Sequence, residues 1–374
     1  MKNKPLFFGM PGGIKNVQEK SINDLLDNSG RNTGNFLFVR ALREILGRKE
    51  DVYKVRNYFL QENREYDYIA ISAANWVNPG IDLSAQVDYI ESTQLPCLVV
   101  GLGGHLPFNA KPPKLRKSTQ KFLEIISERS QYISVRGEHT QRLLEHYGIY
   151  NTWVTGCPSI LGDGSGIKSI ENKTDIKDLS KVVLQGTRHG YSETIFKPSK
   201  INDINLEIYR FAMKNNMPLL LQSEVADMYL AMERSNNREI NKKNIDFLQK
   251  IYLESEDKIK FYLQNKALLY WNLDDWTTGL SKYDFLMGTR IHGVISALLS
   301  GVPAVLLTHD ERTQELAKIM HIPHRDIRDM QGFNEDVILN IIRDSDFSNF
   351  NENRLKYINN FKTFFQANEV ENIL

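Results

Sequence analysis

The stretch "YDFLMGTRIHGVISALLSGVPAVLL", residues 283–307, decides the fold. A short apolar run ends at Gly288, a small-residue helical segment follows, and Gly301–Val302–Pro303 leads into a second apolar run. Strand, helix and strand in that order predict two parallel strands joined by a crossover helix. Its first turn nevertheless carries Arg290 and His292, a cation and an imidazole where a plain core unit has no use for either. An arginine beside a core strand needs an anion, supplied by a ligand or by an acidic residue of the chain.

Working outward, short β-rich runs alternate with segments of helical period. "PLFFGM", "DYIAISAAN", "LPCLVVGLGG", "QYISVR" and "NTWVTGCPSI" read as strands; "TGNFLFVRALREILG", "KSTQKFLEIISERS" and "EHTQRLLEHYG" read as the helices between them. The glycine-rich, aperiodic "LGDGSGIKSIENKTDIKDLS" is the best boundary. A second alternation begins at "KVVLQG" and includes a helical stretch from Val225 to Leu269. The expected organisation is an N-terminal Rossmann-like domain at 1–165 and a C-terminal one at 166–345. A terminal helix at 346–374 is free to fold back across both. The fold class is α/β, two open parallel sheets with a cleft between them.

At 374 residues the chain suits two domains, with 41% hydrophobic and 25% charged residues. A net charge of +1 gives no global pull toward nucleic acid, so an anion must be held by a local cluster. Cys97 and Cys157 lie in apolar runs and read as buried free thiols, which excludes a disulfide scaffold or a cysteine zinc site. No Walker loop, nucleophile elbow, HExxH or acidic metal cluster is present, and no metal or cofactor is expected. No run has the length of a signal peptide core or a membrane span, which gives a cytoplasmic expectation.

In open parallel sheets, ligands sit beyond the carboxyl ends of the strands, so residues just after strands are the candidates. Arg290 and His292 follow "YDFLMG", with Thr289 as the expected N-cap and Gly293 clearing space for a ligand or a neighbouring strand. The helix N-terminus and the Arg290 fork together suit an anion. Arg136 holds the equivalent strand end in the first domain. Gly103 and Gly104 permit a tight turn with inward N–H groups, which suits an anion or is a turn and nothing more; His105 follows them. Asn35, after Gly34, is a ligand contact or part of a helix start. Asn75 beside Trp76 is a sugar contact or a turn next to a packed indole. Arg188 is a third candidate for the cleft.

"YDFLMGTRIHGVISALLSGVPAVLLTHDERTQELA" resembles the C-terminal signature of the polysaccharide pyruvyl transferase family. "YISVRGEHTQRLLEHYGI…WVTGCPSIL" resembles its middle segment, with Arg136 on the family's arginine position, and "GNFLFVRAL" is similar to its first helix start. The resemblance departs at the second strand, where "SAANWVNP" replaces a glycine cluster. It implies a GT-B-like pair of Rossmann-like domains, phosphoenolpyruvate as donor and a sugar acceptor, free or lipid-linked, that receives a pyruvate ketal. It also implies work in the cytoplasm or at the inner membrane face. Under it, Arg136 and Arg290 bind the donor, and His292 donates a proton or partners the phosphate. The competing expectation is a GT-B glycosyltransferase using a nucleotide sugar, with Glu311 as the carboxylate for the ribose.

Overall fold

The computed structural model describes residues 1–53, 65–104, 111–164, 167–188, 199–233 and 240–374. In the N-terminal half, β1 (Pro5–Phe8), β2 (Tyr68–Ser72) and β3 (Cys97–Val100) pair in parallel in that order. The pair β4 (Ile133–Val135) and β5 (Thr152–Val154) continues this layer, because Leu102 bridges to Val135 and its N–H donates to the Ser134 carbonyl. Helices α1 (Ile22–Asn28), α2 (Asn35–Ile45), α3 (Ser84–Thr93), α4 (Lys117–Arg129) and α5 (Glu138–His146) lie between the strands in sequence. Strands buried on both faces explain the near-continuous apolar runs such as Tyr68–Ser72.

The C-terminal half carries six parallel strands: β6 (Val182–Gln185), β7 (Leu219–Leu220), β8 (Ala267–Leu268), β9 (Phe285–Gly288), β10 (Ala304–Thr308) and β11 (His324–Asp326). Their spatial order is β11-β10-β9-β6-β7-β8. Counted within this sheet, that is the doubly wound order 3-2-1-4-5-6, whose chain direction reverses between β6 and β9. A crevice forms at such a reversal because the crossovers leave β6 and β9 toward opposite faces. Helices α6 (Lys200–Lys214), α7 (Val225–Ala231), α8 (Lys242–Tyr252), α9 (Glu256–Lys266) and α10 (Leu273–Leu280) precede β9; α11 (Ile291–Leu299), α12 (Glu311–Ile319) and α13 (Glu335–Arg343) follow it. The span expected to be helical from Val225 to Leu269 thus holds three helices and then strand β8. A two-residue strand is too short to show a period of two, so its signal is lost beside α9.

The last helix, α14 (Ser348–Ala367), buries Phe350, Tyr357, Phe361, Phe364 and Phe365, a stripe at helical spacing. These rings join one apolar cluster with Leu42 of α2, Ile160, Val294 of α11 and Leu306 of β10, which ties residues of both sheets together. Polar contacts fix its register on the first layer. The Tyr357 hydroxyl donates to the Cys157 carbonyl at 3.0 Å, and Asn360 donates to the Val154 carbonyl while accepting from the Trp153 indole, both at 2.9 Å. Gly156 has φ +86°, and a Cβ there would lie 2.3 Å from the Tyr357 hydroxyl, so only glycine admits this approach.

Phe361→Ala should cost about 3–5 kcal/mol in a denaturant melt, since it opens a cavity at the junction. Asn360→Ala, which removes one paired amide, should cost about 1–3 kcal/mol.

Candidate active site

Three chain segments meet at the strand ends. The start of α2 brings Asn32, Asn35 and Phe38; the first layer brings Asn75 and Arg136; and the β6/β9 crevice brings Thr187, Gln222, Thr289, Arg290 and His292. His309, Arg312 and Thr313 close the far side from the β10–α12 junction. Of the residues singled out in sequence, Asn35, Asn75, Arg136, Thr289, Arg290 and His292 thus share one pocket. It encloses about 80 Å³, room for about six water-sized groups at roughly 10–15 Å³ each.

Arg136 sits at the end of β4, 3% exposed. Its Nε donates to the Gly101 carbonyl at 2.8 Å and its Nη2 to the Ala73 carbonyl at 3.4 Å; the Phe38 ring lies 5.4 Å from the guanidinium carbon. No carboxylate pairs with it among the described residues. Burial pushes its pKa down from the usual arginine range, and the charge of Arg312 pushes the same way. A guanidinium stays charged regardless, so the pocket holds an uncompensated buried cation.

Arg290 differs. Its Nε and Nη2 donate to the same Glu224 oxygen at 3.1 and 2.7 Å, while the other Glu224 oxygen accepts the N–H groups of Gln222 and Ser223. Burial pushes the Glu224 carboxyl up, but Arg290, Arg188 and the two N–H donors outweigh it and hold the group below its ordinary value. The acidic partner that the sequence left open is therefore Glu224, beyond β7. Arg290 itself is the N-cap of α11, in place of the expected Thr289. The Thr289 hydroxyl instead donates to Thr187 at 2.8 Å, tying β9 to β6 across the crevice.

His292 is buried in the first turn of α11, with its Nε2 3.7 Å from the Cys157 sulfur and its ring 5.6 Å from that of Phe38. Burial drives its pKa well below the usual histidine range, and Arg136, Arg312 and Arg290 reinforce this. His309 is 6% exposed, with Nε2 3.7 Å from Asp310. Burial lowers it to about 4, against the opposing pull of Asp310. Both imidazoles are thus held toward the neutral form.

Several expectations are corrected. Arg188 does not reach the pocket: it pairs with Asp227 and lies over the rings of Tyr209 and Phe247. The glycine turn offers no free donors, because Gly101 donates to Ser134, Gly103 to Ala74 and Gly104 to Thr140. Gly104 serves packing, since a Cβ there would strike Leu143; at Gly103 it would strike Asn75 and crowd Arg136, so this glycine shapes the site from behind. A Cβ on Gly293 would lie 2.0 Å from Gln185, so that glycine makes room for the neighbouring strand. Trp76 packs edge-on against Phe8 and Phe122. Glu311 faces His139 at 3.7 Å. At the α5 N-terminus the His139 N–H donates to Glu315. His105 lies outside the described residues. Asn32, Gln222, Glu224, His309 and Arg312 were missed; "THDERTQE" carried the only local hint, a histidine and an arginine straight after an apolar strand.

Fold and pocket together define a parallel α/β protein with an arginine-lined pocket at the topological switch of its six-stranded sheet. The polysaccharide pyruvyl transferase family model matches residues 32–311, from the asparagine at the α2 start to the first turn of α12. The chain belongs to this family and is a transferase. No curated protein sequence matches it. Among solved structures it is similar to HepE from Anabaena in complex with UDP and glucose, at 13% identity and TM-score 0.44, covering 97% of this chain and 98% of that one. It is also similar to S. aureus MnaA with UDP, at 14% identity and TM-score 0.42, covering 100% and 92%. A putative UDP-N-acetylglucosamine 2-epimerase from Listeria monocytogenes gives 12% identity and TM-score 0.41, with 100% and 92% covered. Likenesses this distant carry no functional argument.

Two predictions follow from the charges. Arg290→Met strands Glu224 and should lower stability by about 3–5 kcal/mol, whereas Arg136→Met should melt near or above wild type in anion-free buffer. Thermal melts of the purified variants check the contrast. The second concerns pH. A histidine whose folded pKa is depressed stabilises the fold above its unfolded value near 6.5, and that stability is lost as pH falls toward the folded value. Each of His292 and His309 should therefore cost about 1.4 kcal/mol per pH unit below pH 6.5, down to about 4 for His309. Urea melts from pH 7 to 4.5 measure the slope, and His309→Gln should roughly halve it.

Proposed function

We propose that the pocket binds phosphoenolpyruvate and transfers its pyruvyl group to two hydroxyls of a sugar in a cell-surface polysaccharide or its precursor. The observation that carries this reading is Arg136: a buried guanidinium with no carboxylate partner, facing Arg312 and the N-terminus of α11. Phosphoenolpyruvate carries a carboxylate and a phosphate, and several fixed donors at one strand-end crevice suit both.

The chemistry uses the neutral His292. A bound trianion reverses the field that keeps the imidazole unprotonated, so the donor itself brings His292 into the range of a general acid. His292 then delivers a proton to the methylene carbon, and C2 becomes an oxocarbenium-like centre open to a hydroxyl. Phosphate leaves, and the second hydroxyl closes the ketal. On the opposite wall, Asn75 presents a buried Oδ1 with no partner among the described residues, an acceptor for a sugar hydroxyl. Asn35, whose Nδ2 donates to the Ser29 carbonyl, lines the same pocket. No metal takes part in this scheme, and the acceptor is free or lipid-linked.

Phosphoenolpyruvate should raise the melting temperature of the wild type, and UDP, GDP or CMP sugars should not. Arg136→Ala should weaken donor binding by about 2 kcal/mol or more, read by calorimetry. Turnover should survive EDTA. Stabilisation by a nucleotide sugar with none from phosphoenolpyruvate would replace this reading with a glycosyltransferase.

A further inference from the structure

Cys157, just beyond β5, is fully buried, with its sulfur 3.7 Å from His292 Nε2. The Ser159 Oγ lies 3.0 Å from the same sulfur. The backbone sets the position of this thiol: Gly156 before it takes φ +86°, and the Cys157 carbonyl accepts the Tyr357 hydroxyl of α14 at 3.0 Å. The imidazole is held as well, with the Phe38 ring at 5.6 Å and the His292 carbonyl accepting the Ser296 hydroxyl at 2.8 Å. Its other ring nitrogen, Nδ1, has no partner among the described residues and is the one left to the pocket that His292 lines.

The direction of these contacts follows from counting hydrogens. Ser159 is fully buried, and the Cys157 sulfur is the one partner of its hydroxyl among the described residues. A buried hydroxyl hydrogen without an acceptor is costly, so Ser159 donates to the sulfur. The thiol hydrogen is then free for the remaining contact and points to Nε2, which accepts it. A neutral imidazole carries one ring proton, and with Nε2 accepting, that proton sits on Nδ1.

We propose that Cys157 is a positioning residue for the transfer: it holds the resting His292 in the Nδ1–H tautomer and keeps Nδ1 toward the donor. This rests on the reading of the pocket as a phosphoenolpyruvate site. Nδ1–H is then the group that meets the arriving anion, and Nε2 takes up a second proton from water once the anion is bound. A thiol serves both forms of the ring. It donates to Nε2 of the neutral imidazole, and its sulfur accepts from Nε2–H of the imidazolium as the thiol hydrogen turns away. The Nδ1 proton goes to C3 of phosphoenolpyruvate, where the C2–C3 π pair forms the new C–H bond. An acceptor oxygen bonds to C2, and the bond from C2 to the phosphate oxygen breaks with its electron pair on phosphate. The second hydroxyl oxygen takes the vacated place on C2. Of the two hydroxyl protons, one returns to Nδ1 and the other leaves with phosphate.

Nitrogen-15 spectra of the histidine-labelled, ligand-free protein at neutral pH read the tautomer, with His292→Gln identifying the signals. His292 should show a protonated Nδ1 and an unprotonated Nε2. Cys157→Ala should abolish that preference, and Cys157→Ser, which keeps a hydrogen-bond donor, should retain it in part. Turnover is followed as phosphate release from phosphoenolpyruvate with a panel of methyl hexopyranosides as acceptors. Cys157→Ala should lower kcat on the order of tenfold, the scale of losing the partner that orients a functional histidine. Phosphoenolpyruvate affinity should stay within about threefold, and Cys157→Ser should recover part of the lost kcat. A wild-type His292 protonated on Nε2 overturns the assignment. So does a Cys157→Ala variant whose tautomer is unchanged, or one that loses kcat and donor affinity together with no recovery in Cys157→Ser. Wild type that neither binds phosphoenolpyruvate nor releases phosphate from it overturns the parent reading. The ligand-free spectra still decide the part played by Cys157, which separates the two failures.

Discussion

A single unpaired cation sets the logic of this molecule. Arg136 ends β4 with its guanidinium hydrogen-bonded to two backbone carbonyls and stacked near Phe38, yet no carboxylate meets it among the described residues. Burying such a charge costs several kcal/mol, even after relaxation, and the fold does not recover that locally. The cost is carried by the apolar junction behind the pocket, where α2, α11 and α14 share one core with strands of both sheets. The site can hold an unsatisfied charge because the packing behind it is rigid and continuous.

The surrounding charges are arranged in degrees. Arg290 is neutralised by Glu224, Arg312 is half-engaged by Asp310, and Arg136 is left open. Burial and the three arginines together hold the His292 pKa well below the usual histidine range. The α12 helix joins the arrangement to the rest of the fold: Arg312 points to the pocket while Glu311 and Glu315 hold the first turn of α5, the helix that begins just after Arg136.

Much of the architecture was legible in the chain because parallel strands buried on both faces write themselves as continuous apolar runs. The strand–helix–strand unit around Arg290 and His292 is of this type, and so is the strand that ends at Arg136. Elements that escaped were short or polar: β8 has two residues, and β11, with His, Arg and Asp, has no apolar signature at all. The glycine turn misled because sequence reports conformational freedom without reporting who accepts each N–H. Ser134, Ala74 and Thr140 are those acceptors, and two of the three are more than thirty residues away.

By itself the sequence determined that the chain folds as two parallel α/β layers and that Arg136, Arg290 and His292 stand at strand ends. Those facts follow from local periodicity and from the position of a polar residue relative to an apolar run. Only the tertiary structure decided which arginine is spoken for. Glu224 lies 66 positions before Arg290, and Asp227 lies 39 after Arg188. Nothing in either stretch announces its partner. Charge pairing in a folded core depends on distances of a few ångströms between segments far apart in the chain, and the ledger of charges at this site exists only after the sheet is assembled.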